Sequence, residues 1–364
     1  TMKKIKFLAV ALAAFTLFSC TNEEVDNLGN NAPGEKSVLT VKVEGAGNSQ
    51  AQSRAMGEAV DADDAVINNY LVFLFREGGA LDCPPHYSNS SATVTITDGT
   101  TAAKKAYVIA NTGALANGPF AAVKTEDDLL AVAGSLMDNT NNLSTQTKDN
   151  LWMSGEDNVT FTGTNAQLTV SLSYVAAKIQ LIVKDNRKNM SSGTIQIEDK
   201  EVVLLFAGKS GKFFGTQKSV QTHFYTGDDS YNNAFNTNVT KSTALSDAVG
   251  APFTDNTGNT VFNHFYTFGN DGTTQPTILA IKSTKTVNST PSTIYYPVHF
   301  TTADAGETIE PGKAYTVTVT LNGDVEAGAG GGTTDPEAPV VSSSIEVTVT
   351  AATWSPVTVT KDFN

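Results

Sequence analysis

The chain contains Ser37-Val38-Leu39-Thr40-Val41-Lys42-Val43-Glu44, a stretch in which apolar and polar residues alternate. Its apolar residues occupy every second position, which is the period of a β-strand with one buried face. Comparable runs, separated by turn-forming residues, recur at 70–75, 93–97, 106–110, 167–172, 177–183, 202–206, 277–281, 294–300 and 314–321. Many short strands predict a mainly β fold built from β-sandwiches.

One helix and one domain junction are also predicted. Thr125 is a good N-cap, acidic residues fill the first turn behind it, and apolar residues from Leu129 to Met137 supply a buried face. The apolar run at 168–183 exceeds an ordinary strand, so a junction between two domains is expected within it. A length of 364 residues by itself predicts two domains or one large β domain.

Composition restricts the function classes. The formal net charge of −13 argues against nucleic acid and against adsorption to anionic headgroups, since both need clustered Lys and Arg. No phosphate-binding loop, nucleophile elbow or dinucleotide fingerprint is present, and no cofactor is predicted. An enzyme such as a glycosidase would need two facing carboxylates, which the sequence does not place.

The four histidines are scattered without a recognisable metal-ligand spacing, and Cys83 lies in the turn-like stretch Cys83-Pro84-Pro85-His86. A buried structural thiol is predicted for Cys83, surface or core roles are predicted for the histidines, and no metal site is expected. The histidines are His86, His223, His264 and His299.

The first residues have the pattern of an export signal. Three lysines precede an apolar run at 7–18, which is too short to span a bilayer, where about 20 residues are needed. The run ends in Leu17-Phe18-Ser19-Cys20, which resembles a bacterial lipobox. A signal peptide at 1–19 and a lipid on Cys20 are therefore predicted; the alternative is an ordinary signal peptide with a chance cysteine.

The C-terminal segment is a further strand-like stretch, and it follows a flexible linker. A Gly- and Pro-containing linker at 328–339 precedes it. Apolar residues then alternate with polar ones, Trp354 interrupts the period, and the alternation resumes; the apolar positions are Ile345, Val347, Val349, Ala351, Trp354, Val357 and Val359. This strand either folds back as the last strand of its own domain or completes a sheet in another molecule.

The N-terminal strand could be the strand that the tail of a neighbouring molecule replaces. Leu39, Val41 and Val43 could fill a groove, and Arg54 follows them in a loop of small and polar residues that suits a protease. Cutting between Arg54 and Ala55 would release the strand, and a neighbour's tail could replace it. Such a contact is head-to-tail and builds a filament. The alternative for Arg54 is a solvated loop residue.

Several motifs in order resemble the fimbrillins, the major pilin subunits of Bacteroidetes fimbriae (type V pili). Besides the lipobox they are Gln52-Ser53-Arg54-Ala55-Met56-Gly57, Ala106-Tyr107-Val108-Ile109-Ala110-Asn111, Leu151-Trp152-Met153-Ser154-Gly155, Val175-Ala176-Ala177-Lys178-Ile179, Pro276-Thr277-Ile278-Leu279, Tyr295-Tyr296-Pro297-Val298 and Tyr315-Thr316-Val317-Thr318-Val319. The resemblance implies two transthyretin-like β-sandwich domains, delivery as a lipoprotein, and cleavage by an Arg-specific protease.

Carried over to this chain, the resemblance implies a lipidated propeptide at 20–54 that includes the first strand, sandwiches at 55–174 and 175–340, and a donor strand at 341–364. It also implies export through the periplasm to the outer membrane, then a place in a surface fimbria. The expected function is a non-enzymatic shaft subunit that forms a homopolymer with accessory tip and anchor subunits. The membrane is expected to be contacted only through the precursor lipid. A tip or anchor subunit, or a monomeric surface lipoprotein that binds glycan or host protein, are the alternatives.

Overall fold

The computed structural model describes the chain in several stretches. They are residues 34–45, 66–89, 93–112, 118–135, 151–187, 191–192, 195–215, 221, 224, 245–248, 260–261, 265–321, 332–337 and 345–353. Strands dominate these stretches, which confirms the mainly β prediction. None of the helices in these stretches is long and apolar enough to cross a membrane.

The first half of the chain forms two sheets. Its strands are β1 (Val38–Glu44), β2 (Tyr70–Arg76), β3 (His86–Ser88), β4 (Thr93–Ile96), β5 (Ala103–Ala110), β6 (Ala133–Ser135), β7 (Met153–Asn158), β8 (Asn165–Ser171) and β9 (Ser173–Tyr174). One sheet has the order β3-β2-β5-β7-β9 and the other β4-β1-β8. Apolar side chains from both sheets share one core, so the sheets form the two layers of a sandwich.

The second half repeats this plan with longer strands. They are β10 (Ala176–Asp185), β11 (Ser191–Ser192), β12 (Ile195–Leu205), β13 (Ser210–Lys212), β14 (Leu245–Ala248), β15 (Thr260–Val261), β16 (Phe265–Phe268), β17 (Ile278–Val287), β18 (Thr290–His299), β19 (Lys313–Leu321) and β20 (Ile345–Thr353). One sheet runs β15-β10-β19-β20 with β16 also on β10; the other runs β11-β12-β17-β18 with β14 also on β12. A second core lies between them.

The expected junction falls where the run at 168–183 breaks into β8, β9 and β10. Ala176 belongs to the first core and Ala177 to the second. A segment of the second half nevertheless enters the first: β13 pairs with β6, and the buried rings of Phe213 and Phe214 pack on Trp152 and Tyr107. The domain limits at 174/175 and 340/341 therefore stay predictions.

The helix is shorter than its apolar pattern suggests. A 3-10 turn (Pro119–Ala122) precedes α1 (Glu126–Ala131), and Thr125 and Asp128 form the expected capping box. Val132 is already extended, and β6 follows where the apolar face was predicted to continue. The strand is formed by pairing with β13, and Gly134 permits its packing, because a Cβ there would lie 2.1 Å from the Trp152 ring.

Candidate functional site

Strand β1 is the central strand of its sheet. It pairs antiparallel with β4, from Leu39–Ile96 to Lys42–Thr93. It pairs parallel with β8, in a register that matches Val41 with Leu168. Among the described residues, neither β4 nor β8 pairs with another named strand. The sheet therefore depends on β1, which joins its two flanking strands.

The inner face of β1 is part of the first core. Leu39, Val41 and Val43 are exposed by only 1%, 0% and 4% of their surface, as the alternation predicted. They pack in the cluster that also holds Ile96 and Val170 from the flanking strands. Burial of such a side chain stabilises a fold by about 1.5–3 kcal/mol, so the three together anchor β1 firmly.

Backbone hydrogen bonds hold both ends of β1. At its start, the Ser37 amide donates to the Gly99 carbonyl at 3.1 Å, and the Thr101 amide donates to the Glu35 carbonyl at 2.9 Å. At its end, the Leu172 amide donates to the Glu44 carbonyl at 2.9 Å. Release of β1 therefore requires these bonds to break together with both ladders.

The predicted processing residues lie outside the described stretches. Cys20, Arg54 and Ala55 are not among the described residues, so their predicted roles stay predictions. The described chain stops at Gly45 after β1 and resumes at Val66 before β2. Arg54 thus belongs to the covalent connection between β1 and the rest of the first sandwich.

The C-terminal strand β20 lies on its own chain. It pairs antiparallel with β19 over its full length, with Ile345 opposite Leu321, Val347 opposite Val319, and Thr353 opposite Lys313. Its other edge has no partner among the described strands. Val349 and Ala351 are half-buried against the second core. Trp354, Val357 and Val359 lie outside the described residues.

A short piece of the linker before β20 is fixed to the opposite sheet. Thr333 and Tyr295 exchange two backbone hydrogen bonds, at 2.7 and 2.9 Å, so the linker pairs with β18 at one point. Gly332 allows this approach, since a Cβ there would lie 2.8 Å from the Ile294 side chain. The linker predicted at 328–339 is therefore fixed to the sheet at Thr333.

The structure also brings together three residues that the sequence did not connect. The ligand atoms of Cys83, His86 and Asp98 all lie within 4.8 Å of one another. Burial, and then the charges of Asp98 and Asp82, raise the pKa of the Cys83 thiol to about 12. Cys83 is buried, as predicted. Only the Cys83-x-x-His86 spacing could have signalled the group, because Asp98 approaches through the fold.

The remaining histidines do not form such a group within the described chain. His299 Nδ1 lies 3.0 Å from Asp304 Oδ2 and forms a His–carboxylate pair with it. This contact, above all, lowers the pKa of the Asp304 carboxyl. His223 and His264 lie outside the described residues.

The chain combines two β-sandwich cores with a first strand at the centre of its sheet and a last strand at the edge of its sheet. The description "Major fimbrial subunit protein (FimA)" matches residues 37–199, and "FimA-like major fimbrial subunit protein, C-terminal domain" matches residues 176–354. The chain belongs to this FimA-like family of major fimbrial subunits, so it is a structural subunit of a cell-surface fimbria.

Solved structures agree with this membership. A candidate cell adhesion protein from Bacteroides eggerthii is 71% identical, with a TM-score of 0.78 over 90% of this chain and 98% of that one. Two candidate cell adhesion proteins from Parabacteroides distasonis are 18% and 16% identical. Their TM-scores are 0.60 and 0.55, over 89% and 88% of this chain and 98% and 100% of theirs, and they share the fold. No curated protein matches the chain.

Proposed function

We propose that this chain is the shaft subunit of a fimbria and that it polymerises by strand exchange. The central position of β1 carries the proposal. Adjacent strands lie about 4.8 Å apart, so β4 and β8 stand about 10 Å apart across β1. Removal of β1 would leave a slot one strand wide, with unpaired backbone on both walls and an apolar floor.

An empty slot of this kind is a strong acceptor. The backbone groups on both walls would lose the hydrogen bonds that β1 makes and could pair again with an incoming strand. The apolar floor would lose the cover that Leu39, Val41 and Val43 provide in the precursor. A strand with apolar residues at every second position meets both needs, since its backbone pairs with the walls and its side chains fill the floor.

The proposed donor is the tail that begins with β20. In its own chain β20 is paired along one edge, with β19, and its Val349 and Ala351 are only half-buried. In the slot of a neighbour the same strand would pair along both edges and bury its apolar face completely. Exchange thus replaces a one-sided contact by a two-sided one, which favours transfer of the tail.

Maturation in this proposal follows the predicted processing. The precursor is exported as a lipoprotein through Cys20 and displayed on the outer membrane. An Arg-specific protease cuts between Arg54 and Ala55, and residues 20–54 leave with the lipid and with β1. Copies of the chain then join head-to-tail, and accessory subunits cap and anchor the filament, which supports adhesion.

A second candidate follows from the position of β20. Both terminal strands are folded into their own chain, which is also what a monomeric surface lipoprotein that binds glycan or host protein would show. A tip or anchor subunit shares the fold as well. These candidates predict a different fate for the Arg54–Ala55 bond or for the tail, and proteolysis distinguishes them.

The test is controlled proteolysis of the precursor lacking residues 1–20. We expect an Arg-specific protease to remove the segment that ends at Arg54, as followed by mass, and SDS-resistant ladders to appear afterwards. An Arg54→Lys variant keeps the charge but should resist the cut and stay monomeric. A chain lacking residues 345–364 should be cut normally and form no ladder.

Two outcomes would overturn the shaft assignment. A precursor whose Arg54 resists the protease while other arginines are cut would point to an anchor subunit or a monomeric lipoprotein. Clean cutting that leaves a stable monomer with an intact tail would show that loss of β1 does not create an acceptor.

A further inference from the structure

Three loops of the first sandwich bring a thiol, an imidazole and a carboxylate to one place. Cys83 follows β2, His86 begins β3, and Asp98 follows β4. His86 Nε2 lies 2.7 Å from Asp98 Oδ1, and the Cys83 sulfur belongs to the same group within 4.8 Å. The three residues come from loops that other contacts hold in position.

Asp82 makes the main contacts that hold these segments in position. Its buried carboxylate accepts hydrogen bonds from Arg76 Nε at 2.8 Å, and from the Thr100 amide and Thr100 hydroxyl, both at 2.6 Å. These bonds tie the turn that carries Cys83 to the loop that carries Asp98. Pro84 and Pro85 restrict the backbone between Cys83 and His86 further. The three side chains are therefore presented by a stiff frame.

We propose that Cys83, His86 and Asp98 bind one divalent transition-metal ion of the zinc type. The donors are a thiolate, an imidazole and a carboxylate, a combination that selects zinc or cobalt over calcium and magnesium, which prefer oxygen ligands alone. Three protein ligands leave a fourth position for water or for a group of another molecule.

The geometry needs only small adjustments. Zinc bonds sulfur at about 2.3 Å and nitrogen or oxygen at about 2.0–2.2 Å, so its donors lie about 3.3–3.7 Å apart. The His86–Asp98 contact must open by less than about 1 Å, and the Cys83 sulfur must approach by a similar amount. His86 and Asp98 can move, because their side chains are 26% and 51% exposed. That exposure also provides the path by which an ion enters.

Negative charge lies at this place. Asp98 supplies one carboxylate, and the carboxylate of Asp82 lies next to Cys83 in the chain, where Arg76 pairs with it. On binding, the Cys83 S–H bond breaks, its proton leaves to solvent, and the thiolate sulfur bonds the metal, with no change of oxidation state. The ion would link the ends of β2, β3 and β4. Because β4 flanks β1, it would also hold one wall of the β1 slot.

The test uses cobalt(II) as a spectroscopic probe of the full chain carrying Cys20→Ser, so that Cys83 is the sole thiol. We expect a sulfur-to-cobalt charge-transfer band and intense visible bands of a four-coordinate ion, both removed by added zinc. Loss of a supporting group at a metal site costs 10–100-fold in affinity, so Asp98→Asn and His86→Gln should each raise the cobalt Kd by at least about 10-fold.

Cys83→Ser should abolish the charge-transfer band, and zinc should raise the Tm of the parent but not of this variant. His299→Gln is the matched control, since it alters a His–Asp pair without a thiol and should leave cobalt binding unchanged. If Cys83→Ser fails to fold, the cobalt Kd of Asp98→Asn still tests the proposal. The Asp98 side chain is half exposed, so its replacement should leave the fold intact. Absence of the band, or a Kd that Asp98→Asn and His86→Gln do not change, would overturn the proposal.

Discussion

Arg187 is a fully buried cation that ties together the two sheets of the second sandwich. Its guanidinium contacts Asp185 Oδ2 and Asp199 Oδ2, both at 2.7 Å, and the Tyr296 hydroxyl at 3.2 Å. Ser283 completes the group by donating to Asp199 at 2.6 Å. Burial opposes the charge, but the hydrogen bonds that Arg187 donates to Asp185 and the charge of Asp199 outweigh it and raise the pKa of Arg187. The cation therefore stays charged inside the protein.

Removal of this cation should destabilise the fold strongly. Arg187→Ala would leave two carboxylates buried without a counter-charge, and breaking such a group costs about 3–5 kcal/mol. Lys313→Ala is the control, because it removes only more exposed pairs, with Glu310 and Glu307, and should cost less than about 1 kcal/mol. Urea unfolding followed by circular dichroism measures both. Equal losses in the two variants would show that the buried group contributes no special stability.

The sequence predicts single residues best where local spacing decides their place. The inward positions of Leu39, Val41 and Val43 followed from period 2 alone, and the Thr125 cap followed from its neighbours. Neither the Arg187 group nor the Cys83 group could be found this way. Asp199 and Tyr296 meet Arg187, and Asp98 meets Cys83, through strand pairing between distant segments, which periodicity does not specify.

For the whole strand β1, too, local sequence predicts one part of the structure and leaves another part open. Its limits and its buried face follow from eight residues, whereas its partners, parallel β8 and antiparallel β4, depend on tertiary structure. For the predicted helix, the local pattern overestimated the length of the element. Its apolar face continued beyond Ala131, but residues 133–135 form a strand that pairs with β13, a partner from a distant segment of the chain.

The register of β1 allows its release to be tested directly. Thr40 and Thr95 are directly opposite in the antiparallel ladder, where Cβ atoms lie about 4.5–5.5 Å apart, close enough for a disulfide after small adjustments. We expect Thr40→Cys/Thr95→Cys, when oxidised, to be cut after Arg54 yet to keep β1 and remain monomeric. Reduction should release the strand and start polymerisation, as non-reducing and reducing gels would show.

Each single-cysteine variant is the control for that experiment and should polymerise after cutting, with or without reductant. Ladders that form equally well from the oxidised double variant would mean that β1 need not leave. Strand exchange at this slot would then be excluded, whereas the fold and the family membership would stand.

Over the whole molecule, a segment of the second half of the chain is built into the first core. The segment around β13 carries Phe213 into the first core, where its ring lies 5.3 Å from that of Trp152 and 5.2 Å from that of Phe120. The slot lies in the first sandwich and β20 lies in the second. In the proposed strand exchange, one subunit thus carries the acceptor in one half and the donor in the other, which is the condition for an open head-to-tail chain.

That condition can be tested by mixing two defective chains. A chain lacking residues 345–364 and cut after Arg54 has an open slot but no donor, whereas an Arg54→Lys chain has a donor but a slot still filled by β1. Neither should assemble alone. Mixed, they should form a one-to-one dimer and stop there, because the donor fills the open slot and no second pair remains.

Size-exclusion chromatography with mass detection would show the dimer. As a control, Thr40→Cys/Thr95→Cys in the acceptor, oxidised before cutting, should prevent dimer formation. Longer species, or a dimer that forms with the locked acceptor, would show that the subunits join through another surface.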